Sequence, residues 1–167
     1  MLAIPKRNKV FFLILISIFL ISCDENTEFN QYKSLENSSW KANENIVFDF
    51  MVKDTIQPKN LFINIRNNNK FEFSNLYIIT NLKFPNGTEV IDTLQYQMAD
   101  ASGRFLGNGF TEIKDNKLFY KEHKIFPFSG DYQLSIKQAM RKNGEVNPIP
   151  FLKGITDVGL SIEKISK

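Results

Sequence analysis

Residues 46–53 read Ile46-Val47-Phe48-Asp49-Phe50-Met51-Val52-Lys53. In an extended chain Ile46, Phe48, Phe50 and Val52 share one side, and Asp49 and Lys53 fall on the other. Period two is the signature of a strand with one face buried. The pattern recurs in both directions along the chain. Residues 61–66 set Leu61, Ile63 and Ile65 against Phe62, Asn64 and Arg66. Residues 76–84 set Leu76, Ile78, Thr80 and Leu82 against Tyr77, Ile79 and Asn81. Residues 132–140 align Tyr132, Leu134, Ile136 and Gln138, and residues 158–165 align Val158, Leu160 and Ile162 opposite Ser161 and Glu163. Shorter strands are expected at 93–98, 117–120 and 123–126.

Turn chemistry separates these runs. Pro58-Lys59, Pro85-Asn86-Gly87, Ser129-Gly130 and Asn143-Gly144 each fall between two of them. No stretch in this region carries apolar residues at helical spacing over ten positions; at 113–120, Asp115 and Asn116 read as a turn. Many short strands with regular punctuation predict an all-β fold, an antiparallel two-sheet sandwich with jelly-roll or Greek-key connections. The chain has 16 Phe, three of them (Phe11, Phe12, Phe19) ahead of the strands, leaving enough for an aromatic-rich core. Its 167 residues support one folded domain.

The N-terminus has a different composition. Lys6, Arg7 and Lys9 precede residues 10–21, which are apolar except for Ser17. That run is shorter than the ~20 residues of a membrane span and fits the core of an export signal. It ends in Leu20-Ile21-Ser22-Cys23, the pattern of a bacterial lipoprotein signal, in which cleavage leaves Cys23 to carry acyl chains such as palmitate. At about 0.8 kcal/mol per buried methylene, two or more chains hold a protein durably at a bilayer. Cys23 is the single cysteine of the chain, and acylation removes the pairing hazard of a lone exported thiol. The domains expected are a signal peptide at 1–22, an acylated cysteine with a polar tether at 23–37, and a β-sandwich at 38–167. Phe29, Tyr32 and Leu35 interrupt the tether and are expected to dock on the domain, leaving 24–28 loose.

Charge and composition exclude several functions. The chain holds 21 basic and 18 acidic residues, and Lys6, Arg7 and Lys9 in the leader account for the excess. A processed chain of zero net charge is not an electrostatic nucleic-acid binder. One histidine, His123, excludes a multi-histidine metal site, and its flanks Glu122 and Lys124 fit a surface strand. No G-x-S-x-G elbow is present. A hydrolase would need two carboxylates across a cleft, with Asp92 and Glu122 as the acids to test. Asp54, Asp100 and Asp157 are oxygen donors without the spacing of an EF-hand. No metal, cofactor or catalytic residue is assigned. The segment Gly103–Gly109 lacks the spacing of a nucleotide fingerprint, and reads as a constrained loop presenting Arg104 and Phe105 for recognition. Arg141 and Lys142, at the end of a strand, are the other candidate partner-binding residues, Arg141 through its planar fork of donors. Trp40, the single tryptophan, reads as a core or rim plug. A carbohydrate-binding module, with Trp40, Phe105 and Tyr120 coplanar on an exposed face, is the alternative function.

Several stretches taken together carry a resemblance. These are residues 61–67 (LFINIRN), 71–80 (FEFSNLYIIT), 92–96 (DTLQY), 107–122 (GNGFTEIKDNKLFYKE), 138–142 (QAMRK) and 154–160 (GITDVGL). In this order, and behind a lipoprotein signal at Cys23, the chain from Tyr32 to Lys164 resembles the GldH family of gliding-motility lipoproteins of the Bacteroidetes. The resemblance implies a non-enzymatic lipoprotein needed for gliding, linked with the type IX secretion system and working through contacts with other machinery proteins. It implies a lipid anchor at Cys23 and no cofactor. The location it implies is the outer membrane on its periplasmic face; the acidic stretch after Cys23 would also fit export to the cell surface. No catalytic residues are carried over.

Overall fold

The computed structural model describes residues 26–165; the leader and Cys23 lie outside the described residues. Ten strands follow in order: β1 (Thr27–Ser34), β2 (Ser39–Lys41), β3 (Ile46–Val52), β4 (Lys59–Asn67), β5 (Asn75–Lys83), β6 (Glu89–Gln97), β7 (Lys114–Lys124), β8 (Gly130–Gln138), β9 (Phe151–Lys153) and β10 (Ile155–Lys164). One sheet has the order β1-β10-β4-β7, the other β3-β8-β5-β6, and β2 pairs with β9 in a short ribbon. Every pairing is antiparallel.

Among the eight long strands the chain changes sheet after every strand but one. The exception is β5, which turns back into β6 through Pro85-Asn86-Gly87. Two four-stranded sheets connected in this way are a jelly roll. The all-β two-sheet sandwich expected from alternation is therefore the observed fold.

Alternation turns into burial. Ile46, Phe48, Phe50 and Val52 of β3, Leu76, Ile78, Thr80 and Leu82 of β5, and Tyr132, Leu134, Ile136 and Gln138 of β8 are all buried. They meet Leu61, Ile63 and Ile65 of β4 and Val158, Leu160 and Ile162 of β10 from the other sheet. Tyr132 is the centre of an aromatic cluster. Its ring lies 4.9 Å from Phe126, 5.2 Å from Phe84 and 5.7 Å from Phe50, in edge-on, tilted and stacked contacts respectively. Trp40 is fully buried and donates from Nε1 to the Glu44 carbonyl at 3.1 Å, the core plug expected of it.

Three elements differ from the sequence reading. Residues 27–34, placed in the tether, form β1 and pair along β10 from Thr27 opposite Glu163 to Ser34 opposite Asp157. The segment reads as polar because β1 is an edge strand, largely open to solvent. Phe29 nevertheless packs inward on Phe50 at 5.8 Å, and Leu35 is buried. The two short strands expected at 117–120 and 123–126 are replaced by one, β7, which begins at Lys114 and ends at Lys124; residues 125 and 126 lie in the loop that follows. Asn116 is not in a turn: it is buried, and its Nδ2 donates to the Ile65 carbonyl and the Asn67 Oδ1, both at 2.9 Å. The interruption lies at His123, which has φ 48° and donates its backbone N–H to Asn60 Oδ1 where β7 bulges against β4. β6 is longer than expected, starting at Glu89, because as an edge strand it exposes Val90 and Ile91.

Candidate functional site

The strand registers divide the connections between two ends of the sandwich. At one end Ser34 lies opposite Asp157, Asn67 opposite Lys114, Ile46 opposite Ile136, and Asn75 opposite Gln97. Loops 35–45, 68–74, 98–113 and 139–154 leave from there. At the other end Thr27 lies opposite Glu163, and β1 begins there. The described chain enters the sandwich at that second end, so the first end is the distal one.

Arg104, Phe105, Arg141 and Lys142, on two loops distant in sequence, all lie at the distal end. Their surroundings differ. Arg104 is exposed and bonds to Asp100 through Nε and Nη2, each at 3.1 Å. Asp100 Oδ1 accepts from Ser102 Oγ at 2.6 Å and from the backbone N–H groups of Ser102 and Arg104. These bonds, led by Ser102 Oγ, hold the Asp100 carboxyl down at about 2. The aspartate thus closes the loop around its own backbone and fixes the base of the Arg104 side chain. Phe105 does not project from this loop. It is half-buried, with its ring 6.3 Å from Phe71, and serves to pin the loop to the core.

Arg141 flanks a shallow depression of about 400 Å³ on the outer face of the β3-β8-β5-β6 sheet, with Tyr77, Ile79, Thr93 and Ala139. Lys142 borders a second depression with Lys70, Glu72, Ile149 and Phe151. The geometry here depends on Gly154. Its φ is +86°, and a Cβ there would lie 2.1 Å from the Phe71 nitrogen. Loop 68–74 can therefore close onto the start of β10, and Asn68 donates its N–H to the Gly154 carbonyl at 2.8 Å.

The distal end also exposes apolar side chains that the sequence reading did not single out. Phe110 is entirely open to solvent, Val146 is 81% exposed, and Leu106 and Phe151 are more than half exposed. In sequence they are indistinguishable from core residues; a loop position, which only the fold reveals, separates them from the rest.

The outer face of the other sheet is self-paired instead. Arg66 Nε bonds to Asp115 at 3.0 Å and its guanidinium covers the Tyr32 ring at 4.1 Å. Asn64 bonds to Ser161, Lys117 to Glu163, and Ser34 to Asp157. Groups satisfied in this way have little left to offer a partner.

The remaining candidates are not brought together. Asp92 is engaged at the edge of the sandwich by Lys121 Nζ at 2.9 Å and by Tyr120 Oη at 3.3 Å, while Glu122 is exposed on β7. Asp54 caps the amides of Ile56 and Gln57, and Asp157 accepts from Ser34. Among the described residues no three acidic, histidine or cysteine side chains converge on a common point. The coplanar sugar platform is overturned: Trp40 and Tyr120 are buried and Phe105 is packed on Phe71, because each contributes more by filling the core than by facing water.

Comparison with known proteins bears on all of this. The model of a family described as GldH lipoprotein matches residues 27–162. The gliding motility lipoprotein GldH of Flavobacterium johnsoniae is 45% identical over 152 residues, covering 91% of this chain and 94% of that protein. A gliding motility lipoprotein GldH homolog of Christiangramia forsetii is 46% identical over 155 residues, covering 93% and 94%. Among solved structures, the VP2 subviral particle of infectious bursal disease virus overlaps with a TM-score of 0.38 at 14% identity, over 84% of this chain and 34% of that one, too low a similarity to bear on function.

Proposed function

The chain belongs to the GldH lipoprotein family, and on that premise we propose that it is a non-enzymatic lipoprotein that supports gliding motility through contacts between its distal loops and other proteins of the gliding and type IX secretion machinery. Its anchor is Cys23, acylated after removal of residues 1–22, at the outer membrane on the periplasmic face. The curated relatives bear gliding motility in their names and cover nearly the whole chain.

The observation that carries the reading is the polarity of the sandwich. β1, the first described strand, begins at one end, and the exposed Phe110, Val146 and Phe151, with Arg104, Arg141 and Lys142, stand at the other. A jelly roll held by its near end presents those loops to proteins beyond the lipid surface. Exposed aromatic side chains and arginines are the residue types enriched at interaction hot spots.

The test is site-specific photocrosslinking in gliding cells, with a photoreactive residue in place of Phe110 or Lys142. Discrete protein adducts are expected, and they should disappear in Arg141→Glu together with gliding, while the amount of membrane-bound protein is unchanged. Normal gliding in a Phe110→Ser/Phe151→Ser/Arg141→Glu variant would overturn the reading. Cys23→Ala should leave the membrane fraction, and protease treatment of intact cells distinguishes the periplasmic face from the surface.

A further inference from the structure

At the end of the sandwich where β1 begins, beside the β5–β6 turn, two loops lie side by side. Loop 53–58 joins β3 to β4, and loop 125–129 joins β7 to β8. Their ends are paired: Val52 lies opposite Gly130, and Lys59 opposite Lys124. The start of β1 is fastened beside them. Thr27 pairs with Glu163, the Lys164 N–H donates to the Asn26 carbonyl at 2.9 Å, and Lys59 Nζ, itself buried, bonds to Glu28 at 2.8 Å.

These two loops expose large apolar side chains at their tips. Ile56 is 82% exposed, Ile125 53% and Phe128 44%. They are held out by bonds on the inner side. Asp54 accepts from the Ile56 and Gln57 amides, and Tyr132 Oη donates to the Phe128 carbonyl at 2.9 Å. Between Ile125 and Phe128, Phe126 turns inward and is fully buried against Tyr132. Around the tips stand Lys53, Lys83 and Lys124 together with Asp54, Glu122 and Asp131, so neither sign dominates.

Chain length decides what covers this end. Cys23 and Thr27 are four residues apart in sequence, and a fully extended chain spans at most about 3.6 Å per residue, so about 14 Å separates them at the limit. An acylated Cys23 sits at the lipid surface. The loops beside Thr27 are therefore held within reach of the headgroups.

We propose that Ile56, Ile125 and Phe128 insert into the interface of the bilayer that holds the acyl chains, forming a second, side-chain contact that fixes the sandwich upright. This rests on the anchor reading at Cys23. The contact is apolar, so it should persist at high salt. An upright sandwich points the distal loops away from lipid, whereas a four-residue leash alone would let the domain tip.

The test uses the full-length, processed protein, with acylation verified by mass spectrometry of its N-terminal peptide. A single cysteine is introduced as Ile125→Cys, Phe128→Cys or, as the distal control, Val146→Cys. All three positions are exposed, and Cys23 has no free thiol once acylated. Each variant carries an environment-sensitive fluorophore and is reconstituted into phosphatidylethanolamine–phosphatidylglycerol vesicles containing a lipid with a nitroxide high on its acyl chain. Emission at 125 and 128 should shift to the blue and be quenched at least twofold more than at 146, unchanged by added salt. Ile56→Ser/Phe128→Ser should remove the quenching at 125. Equal quenching at all three positions in protein that floats with vesicles overturns this proposal and leaves the anchor standing. Protein that is unacylated and fails to float overturns both.

Discussion

The Tyr32 ring lies across Gly159 on the neighbouring strand, covering the one position of β10 without a side chain on that face. A Cβ at 159 would stand 2.8 Å from Tyr32 Cδ1 and 3.0 Å from the Gln31 carbonyl oxygen. On its other neighbour the ring meets Arg66, which Asp115 holds in place. Gly159→Ala therefore overpacks the seam between β1 and β10, at a cost of about 1–3 kcal/mol. Urea unfolding measures the loss. Hydrogen exchange should show the amides of β1 losing protection first, since that edge strand pairs with β10 alone.

The same seam explains what could and could not be read in the sequence. Central strands announce themselves: β3, β5 and β8 bury one face completely, and their alternation is nearly without exception. β1 hides, because an edge strand with one neighbour tolerates Glu28, Asn30, Gln31 and Lys33, and those residues imitate a tether. Asn116 misleads in a different way. Asparagine signals a turn when its side chain bonds to its own backbone, but here it bonds across to β4. The candidate surface was half legible. Glycines and an arginine marked loop 98–113, yet whether Phe105 or Phe110 faces water depends on the position of Phe71, which sequence does not place. Cys23 rests on sequence and family alone, being outside the described residues.

Lys59 is a charge buried to 98% whose main partner, Glu28, belongs to the first strand. Glu28→Gln leaves that cation with Asp54 at 3.8 Å as its remaining ion-pair partner. The cost should be about 2 kcal/mol, less than the ~3–5 kcal/mol of a fully buried pair, because Glu28 is one-third exposed. Lys59→Met, which removes the charge and keeps the packing stem, should be close to neutral. Thermal unfolding of the two variants tests the asymmetry; equal losses would mean that the ion pair itself, and not the stranded charge, carries the stability.

Asp100 should titrate at about 2, against about 3.9 for an ordinary aspartate. A depressed carboxyl favours the folded loop while it is ionised. Its contribution is complete above the ordinary aspartate range and is lost as the pH falls through about 2. Carboxyl-carbon NMR should record this midpoint, and Ser102→Ala, which removes the largest cause, should raise it. The chemical shifts of Arg104 and Phe105 should move with the same midpoint.

Tyr120 gives the opposite limb. Burial, aided by the Asp92 carboxylate and opposed by a hydrogen bond to Thr80, pushes its phenol up to about 12. The folded state holds the proton more tightly than the unfolded chain, whose tyrosines titrate near ~10. Stability is thus fully present below about 10 and declines as the pH rises through about 12. Tyrosinate absorbance should show this phenol ionising late, and Tyr120→Phe should flatten part of the alkaline decline.

Gly154 links stability to the distal surface. Alanine there must adopt φ near +86° and place its Cβ 2.1 Å from the Phe71 nitrogen, against backbone that cannot swing aside as a side chain would. Left-handed strain and overpacking together should cost roughly 2–5 kcal/mol. The damage should be local before it is global. Asn68 donates to the Gly154 carbonyl and Phe71 to the Asn68 carbonyl, so both amides should lose exchange protection while those of β5 and β8 keep theirs. Phe71 also carries Phe105, so loop 98–113 should loosen along with loop 68–74. If those loops are the surface that other proteins grip, Gly154→Ala should impair gliding at a temperature where the protein still accumulates to its normal level. Intact gliding with both loops exchanging freely would mean that the contact lies elsewhere on the sandwich.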